Sequence, residues 1–333
     1  MAREFRLSRR SIMAGSAAVG AGLFMPAIAR AAPTVIRWGD LLPANHPQVR
    51  MLERIAAEVK DKTGGRLEIQ TFPGGQLGTG KDMMEAVGSG ALTATTDGAA
   101  ALGAFLPQLS VIEAPYLWRD AAHMAKLGAT PLFKQMNEQL VAKRGMRMLA
   151  VTYYGKRHIT TGSKAVKSAA DMAGFKLRVP PVDTFRAMAE AWGAKATPIA
   201  FNELYLALSQ GAVDGQENPL PTIASAKLNE VQKYLVLTGH IITPRLVIFN
   251  EDFLKTLAAA DRAALDAAIA AAVAWQDKEL AGQEASLVDT LKAGGMTVIE
   301  PDMDSFRKPV LAQVPPKFEE KWGKGVFDGL LAL

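Results

Sequence analysis

Two arginines stand inside strand-like segments, Arg178 in FKLRVP and Arg157 in GKRHITT. A guanidinium stays charged at any physiological pH and presents a planar fork of donors that fits a carboxylate through two hydrogen bonds. In a closing cleft such a pair strengthens, because water no longer competes. Arg178 alternates with Leu177 and Val179; its alternative role is a solvated charge on an edge strand. Arg157 has Lys156 and His158 as neighbours, which suit a solvent-facing strand equally well. Asn218, in QGAVDGQENP (210–219), carries a neutral amide that both donates and accepts, so it can orient a ligand without adding charge. Asp97 can take a ligand hydroxyl or amine, or cap the segment after it. Trp38, His46, Tyr153 and Tyr154 lie at strand ends or turns, where ligands are often met. Arg178 is the only isolated, strand-borne cation expected near the QENP segment.

Other chemistries find little support. The chain has no cysteine, which excludes disulfides, thiolate metal sites, cysteine nucleophiles and a lipidated-cysteine anchor. Its four histidines are scattered and have no metal-ligand spacing. His123 reads as an ordinary helix position and His240 as structural. No HExxH, GxSxG, P-loop or strand-following GxGxxG occurs, and GGQLGTGK lacks the spacing and the hydroxyl residue of a phosphate loop. No cofactor is expected. An exported enzyme and a ligand-sensing protein are the competing classes.

The elements that must position these residues alternate. Val35–Leu41 reads as a strand, and 49–63 as a helix closed by Gly64 and Gly65. RLEIQTF, ALTATTDG, MRMLAVTYY and FKLRVP read as strands; KDMMEAVGSG, DTFRAMAEAWG and FNELYLALSQG read as helices. Phe185 and Trp192 are assigned to the core. QENP reads as a polar turn held by Pro219 and Pro221. A long helix spans 261–293, with an apolar stripe at Leu265, Ile269, Ala272, Val273 and Leu280. Alternating strands and helices predict an α/β fold with a largely parallel sheet. The segments 83–98 and 204–219 align without gaps at an offset of 121, placing Asp97 on Asn218. Because ligands sit beyond the carboxyl ends of strands in open α/β sheets, the two residues would face each other across one cleft.

Length bounds the rest. At 333 residues, two domains are expected. Residues 1–31 read as a signal peptide ending in Ala29-Arg30-Ala31, and Arg9-Arg10 after Ser8 points to the twin-arginine route. This leader holds five arginines against Glu4, a net +4 of the chain's +5, so the mature chain is near neutral at +1. The apparent basicity therefore says nothing of nucleic acid, and no basic cluster revives that idea. The apolar run of the leader is short and broken by Pro26, which argues against a membrane anchor.

GFKLRVP (174–180), PIAFNELYLALSQGAVDGQENP (198–219) and EVQKYLVLTGH (230–240) resemble the solute-binding proteins of tripartite ATP-independent periplasmic (TRAP) transporters, DctP type. FPGGQLGTGKDMMEAVGSG and GKRHITT match weaker patterns of that family, and the resemblance runs from about Val35 to the C-terminus. It implies a two-lobed periplasmic binding protein fold with a central ligand cleft and a long helix crossing both lobes. It also implies discontinuous lobes: 32–155 with about 244–283, and 156–243 with about 284–333. By the same resemblance Arg178 meets a ligand carboxylate, Asn218 reaches the same region, Phe201 lines the pocket and Arg157 is a second cation. The implied partners are a small carboxylate ligand and membrane permease subunits, and the implied state is a periplasmic monomer.

Overall fold

The structure, a computed structural model, describes residues 32–333; the leader assigned to 1–31 lies outside the described residues. Nine strands form one sheet: β1 (Thr34–Gly39), β2 (Leu67–Phe72), β3 (Ala94–Gly98), β4 (Met146–Thr161), β5 (Lys176–Val179), β6 (Lys195–Pro198), β7 (Gly215–Pro219), β8 (Tyr234–Asn250) and β9 (Thr297–Ile299). The order is β2-β1-β3-β8-β4-β7-β5-β6, with β9 beside β8. This is a two-lobed α/β fold. In one half β1 is parallel to β2 and β3, and β3 is antiparallel to β8. In the other β5 is parallel to β6 and β7, and β7 is antiparallel to β4.

The expected parallel sheet is thus mixed. The two longest strands, β4 and β8, run antiparallel from Met146↔Asn250 to Thr161↔Tyr234 and join the halves. Strands that carry the chain out to the second half and back must run in opposite senses. MRMLAVTYY and GKRHITT, read as separate segments, are one strand. Its register shifts at Met148/Ala150, Tyr153/Gly155 and Arg157/Ile159. Bulges of this kind bend a strand and re-aim side chains; here they bracket Tyr154 and follow Arg157.

The internal echo is structural. Helix Gly80–Ser89 and β3 recur 121 residues later as a 3-10 turn at Phe201–Glu203, helix Leu204–Ser209 and β7. The expected polar turn at QENP is instead a strand whose every residue is buried. Its polar side chains can be buried because they are partnered: Gln216 Nε2 donates to Thr160 Oγ1 at 2.9 Å, and Glu217 is held by Arg157. Pro219 ends the strand and caps helix Leu220–Ser225, with Pro221 in its first turn, where a missing N–H costs nothing. Likewise Gly98 leads into a helical turn, Ala99–Leu102.

The long helix spans Ala259–Ala293. Leu265, Ile269 and Val273 pack with Ile36, Trp38 and Leu52, whereas Leu291 packs with Leu204, Leu208 and Ile223. One helix therefore contributes to the cores of both lobes. Among the described residues no helix is long and apolar enough to cross a membrane.

Candidate functional site

A cavity of about 270 Å³ opens where the carboxyl ends of β3, β5 and β7 meet the β4–β8 pair. Ligand pockets of roughly 300–1,000 Å³ are usual, so this one suits a small molecule. The sheet order lays out its polar wall: Asp97 on β3, Thr243 and Arg245 on β8, Tyr154 and Arg157 on β4, Asn218 on β7, and Arg178 on β5. Asp97 and Asn218, paired by the echo, do share this cavity.

Of the expected site residues, Arg178, Asn218, Arg157, Phe201, Asp97 and Tyr154 line the cavity. Trp38 and His46 do not. Trp38 is fully buried in a core, its Nε1 donating to Thr96 Oγ1 at 3.0 Å and its ring edge-on to Phe249. His46 caps helix Pro47–Lys62, its Nδ1 accepting from the Gln48 amide at 3.0 Å. Burial and the nearby Arg245 hold it neutral, well below the ordinary histidine range. Tyr153 turns away from the cavity and donates to Glu284. Trp192 is core as expected, but Phe185 is also a cavity wall, with the Arg157 guanidinium carbon 5.1 Å from its ring centroid.

The two expected cations differ in kind. Arg178 is 1% exposed, and its Nε and Nη2 donate to the Ile199 carbonyl at 2.9 and 2.7 Å. Among the described residues it forms no salt bridge. Burial pushes its pKa down to about 10, so it remains cationic at neutral pH. Because β5 lies between β7 and β6, this is no edge-strand charge. Arg157, by contrast, is neutralised. Its Nε and Nη2 grip the Glu217 carboxylate, Nη2 to Oε1 at 2.8 Å, and Nη2 also donates to Asn218 Oδ1 at 3.2 Å. His240 Nε2 lies 3.1 Å from Glu217 Oε2, with Thr238 Oγ1 at 2.7 Å from Nδ1. Burial opposes the Glu217 charge, but Arg157 and His240 outweigh it and hold the carboxyl below its ordinary range.

A third cation, Arg245, contradicts the expectation that Arg178 is the lone strand-borne cation near QENP. Its guanidinium carbon sits 4.4 Å from the Tyr154 ring centroid, Nη1 donates to Thr96 O at 3.3 Å, and Nη2 is 3.6 Å from Asp97 Oδ1. The signal was available: Arg245 interrupts the apolar run LVIF and its upstream IIT, the criterion that singled out Arg178. Glu113 was also missed. It lines the cavity from the end of the helical turn Pro107–Glu113 and accepts from the Ala100 amide at 2.9 Å. Glycine makes room for both acids. A Cβ on Gly98 would lie 2.6 Å from Glu113 Oε2, and one on Gly80 would lie 2.1 Å from Asp97 Oδ2.

Burial raises the pKa of Asp97, against the pull of Arg245, and raises Glu113 to about 7, against Arg157 and Arg245 and with help from Asp97. The native state thus binds a proton on Glu113 more tightly than the unfolded chain, whose carboxyl titrates near 4.5. Stability from this group is fully present below that value and is lost as pH rises through about 7. The ligand-free Glu113→Gln variant is therefore expected to match the parent near pH 4.5 and to exceed it at pH 8 by up to about 3 kcal/mol. Denaturant melts at the two pH values check this. A variant less stable than the parent at pH 8 would contradict it.

A buried cation with no salt bridge among the described residues, facing a cavity between two like halves, fits a protein that binds a small anion. Comparison with known proteins gives that class a family. The model of the bacterial extracellular solute-binding proteins, family 7 (DctP), matches residues 38–321, and the chain belongs to this family. A solute-binding protein of Verminephrobacter eiseniae is 35% identical over 90% of this chain and 89% of its own. Among solved structures, a TRAP periplasmic solute-binding protein of a Polaromonas species bound to D-erythronate superposes with a TM-score of 0.85 at 33% identity, covering 90% of this chain and 99% of that one. One from Roseobacter denitrificans with bound 3-deoxy-D-manno-oct-2-ulosonic acid gives 0.85 at 30% identity, covering 90% and 99%.

Proposed function

We propose that this chain is the periplasmic ligand-capturing subunit of a TRAP transporter, taking a small organic acid between its lobes and delivering it to membrane permease subunits without transforming it. The observation that carries this reading is Arg178, buried and cationic at the cavity and, among the described residues, without a salt bridge, the nearby Glu217 being gripped by Arg157. A buried charge needs a counter-charge, and a ligand carboxylate supplies it. The two solved relatives bound to hydroxylated carboxylic acids support the same ligand class. Export through the leader at 1–31 places the mature chain in the periplasm. The lobes are taken as 32–155 with about 244–283, and 156–243 with about 284–333.

Under that division Asp97, Glu113 and Arg245 belong to one lobe and Arg178 and Asn218 to the other. A ligand touching both sets binds the closed form better than the open one and shifts the population toward it. Small-angle scattering at saturating ligand is expected to show a smaller radius of gyration than without it; an unchanged radius would count against closure. Function itself is tested by a thermal-shift screen of about a hundred small acids, followed by calorimetry and analysis of the recovered ligand. Stabilisation with the acid recovered intact is the expected result. Turnover of the acid would make the protein an enzyme.

A further inference from the structure

The end of the cavity formed by β3 and β8 has a donor and acceptor pattern of its own. Asp97 and Glu113 are both buried acceptors there. Thr243 and Arg245, two residues apart on β8 and so on one face, complete it. Thr243 Oγ1 and Arg245 Nε are buried and have no hydrogen-bond partner. Unpaired buried polar atoms are costly unless a ligand meets them. Above pH 7, where Glu113 is ionised, this end thus offers carboxylate acceptors beside an unpaired hydroxyl and an unpaired N–H.

From this juxtaposition we propose that the β3–β8 end of the cavity selects hydroxyl groups, so that the ligand is a hydroxylated monocarboxylic acid, with Asp97 and Glu113 as the residues that reject dicarboxylates. The inference rests on Arg178 capturing the single carboxylate. A hydroxyl donates and accepts at once, matching the acids and the unpaired donors together. A second carboxylate only accepts. It would face Asp97 and Glu113, while Arg245 is already placed against Asp97 and Arg157 is held by Glu217. An ammonium only donates, and would be set against Arg245. The ion pairs agree: Arg157 is bound to Glu217 and Arg245 lies against Asp97, which leaves Arg178 as the one of the three arginines without a salt bridge among the described residues.

The test is calorimetric titration of the purified protein at pH 8, where Glu113 is ionised, with two matched series that differ in the distal end. One is erythronate, succinate and 4-aminobutyrate; the other is galactonate, adipate and 6-aminohexanoate. In at least one series the hydroxy acid is expected to bind tenfold or more tighter than its dicarboxylate and amino partners. Asp97→Asn combined with Glu113→Gln is expected to narrow the gap to the dicarboxylate at least tenfold, with folding checked by circular dichroism. A dicarboxylate or amino acid that binds the parent as well as the hydroxy acid overturns the inference and leaves carboxylate capture standing. So does a folded variant with undiminished discrimination. Should the double variant fail to fold, Glu113→Gln alone is read in the same way. Binding of none of the six acids removes the carboxylate reading itself and this inference with it.

Discussion

Arg178→Ala is expected to weaken ligand binding by roughly thirty- to several-thousand-fold while leaving the empty protein folded. The magnitude follows from what is removed. The ligand carboxylate would keep its desolvation cost and lose its buried cationic partner, and truncating one partner of a buried charge pair costs about 2–5 kcal/mol. From a starting affinity in the micromolar range, about −8 kcal/mol, little binding would remain. The fold tolerates the change because, without ligand, the charge is itself a burden: burial depresses its pKa to about 10, and its only hydrogen bonds shown go to the Ile199 carbonyl. Lysine is a poor replacement, since a point charge cannot reproduce the fork held square by that carbonyl. Asn218→Ala is expected to cost less, about 1–2 kcal/mol, as for a neutral group bonded to a charged one. Calorimetry with the best acid from the screen decides. Binding of Arg178→Ala within threefold of the parent, with loss in Arg245→Ala, would move the anchor to Arg245.

The contrast among the three arginines also shows what was legible in the sequence. Arg178 and Asn218 could be found because short local patterns hold them: a cation alternating with apolar residues, and a polar stretch before proline. The echo at offset 121 located Asp97 by position alone, and β3 and β7 do occupy matching places. What failed depended on distant partners. QENP looked like a turn because three consecutive polar residues rarely enter a buried strand; they do so here because Thr160, Arg157 and His240 wait on neighbouring strands. Glu113 reaches the cavity only because Gly98 lacks a side chain. Trp38 and His46 sit at element ends, as expected, but on the core side of their elements, and no local signal separates the two faces there. The bulges that aim Tyr154 and Arg157 arise from pairing between strands far apart in sequence, which periodicity within either strand does not reveal.

Glu217→Ala is expected to have the largest effect on stability, a loss of about 3–5 kcal/mol. Glu217 is fully buried, and its carboxylate is the counter-charge for Arg157 and the acceptor for His240 Nε2. Taking it away leaves Arg157, 4% exposed, without its ion-pair partner, and also removes the carboxylate charge that favours the nearby Arg178 cation. The midpoint of thermal unfolding is expected to fall by on the order of 10 °C. The cause is separable from simple loss of volume. Replacing both members, Arg157→Met with Glu217→Met, removes the charges together and is expected to recover most of the stability, because two apolar side chains of similar size need no counter-ion. A double-mutant cycle from denaturant melts measures this coupling. The sign of its pH dependence is also fixed: a carboxyl held below its ordinary range contributes stability above the unfolded value, and that stability is lost as pH falls through the folded one. The parent's advantage over Glu217→Ala should therefore shrink in acid. A loss under 1 kcal/mol for Glu217→Ala, or a double variant as unstable as the sum of the singles, would show that the pair is not what holds β4 and β7 together at the cavity. Arg157 would then be free to act as a second ligand cation.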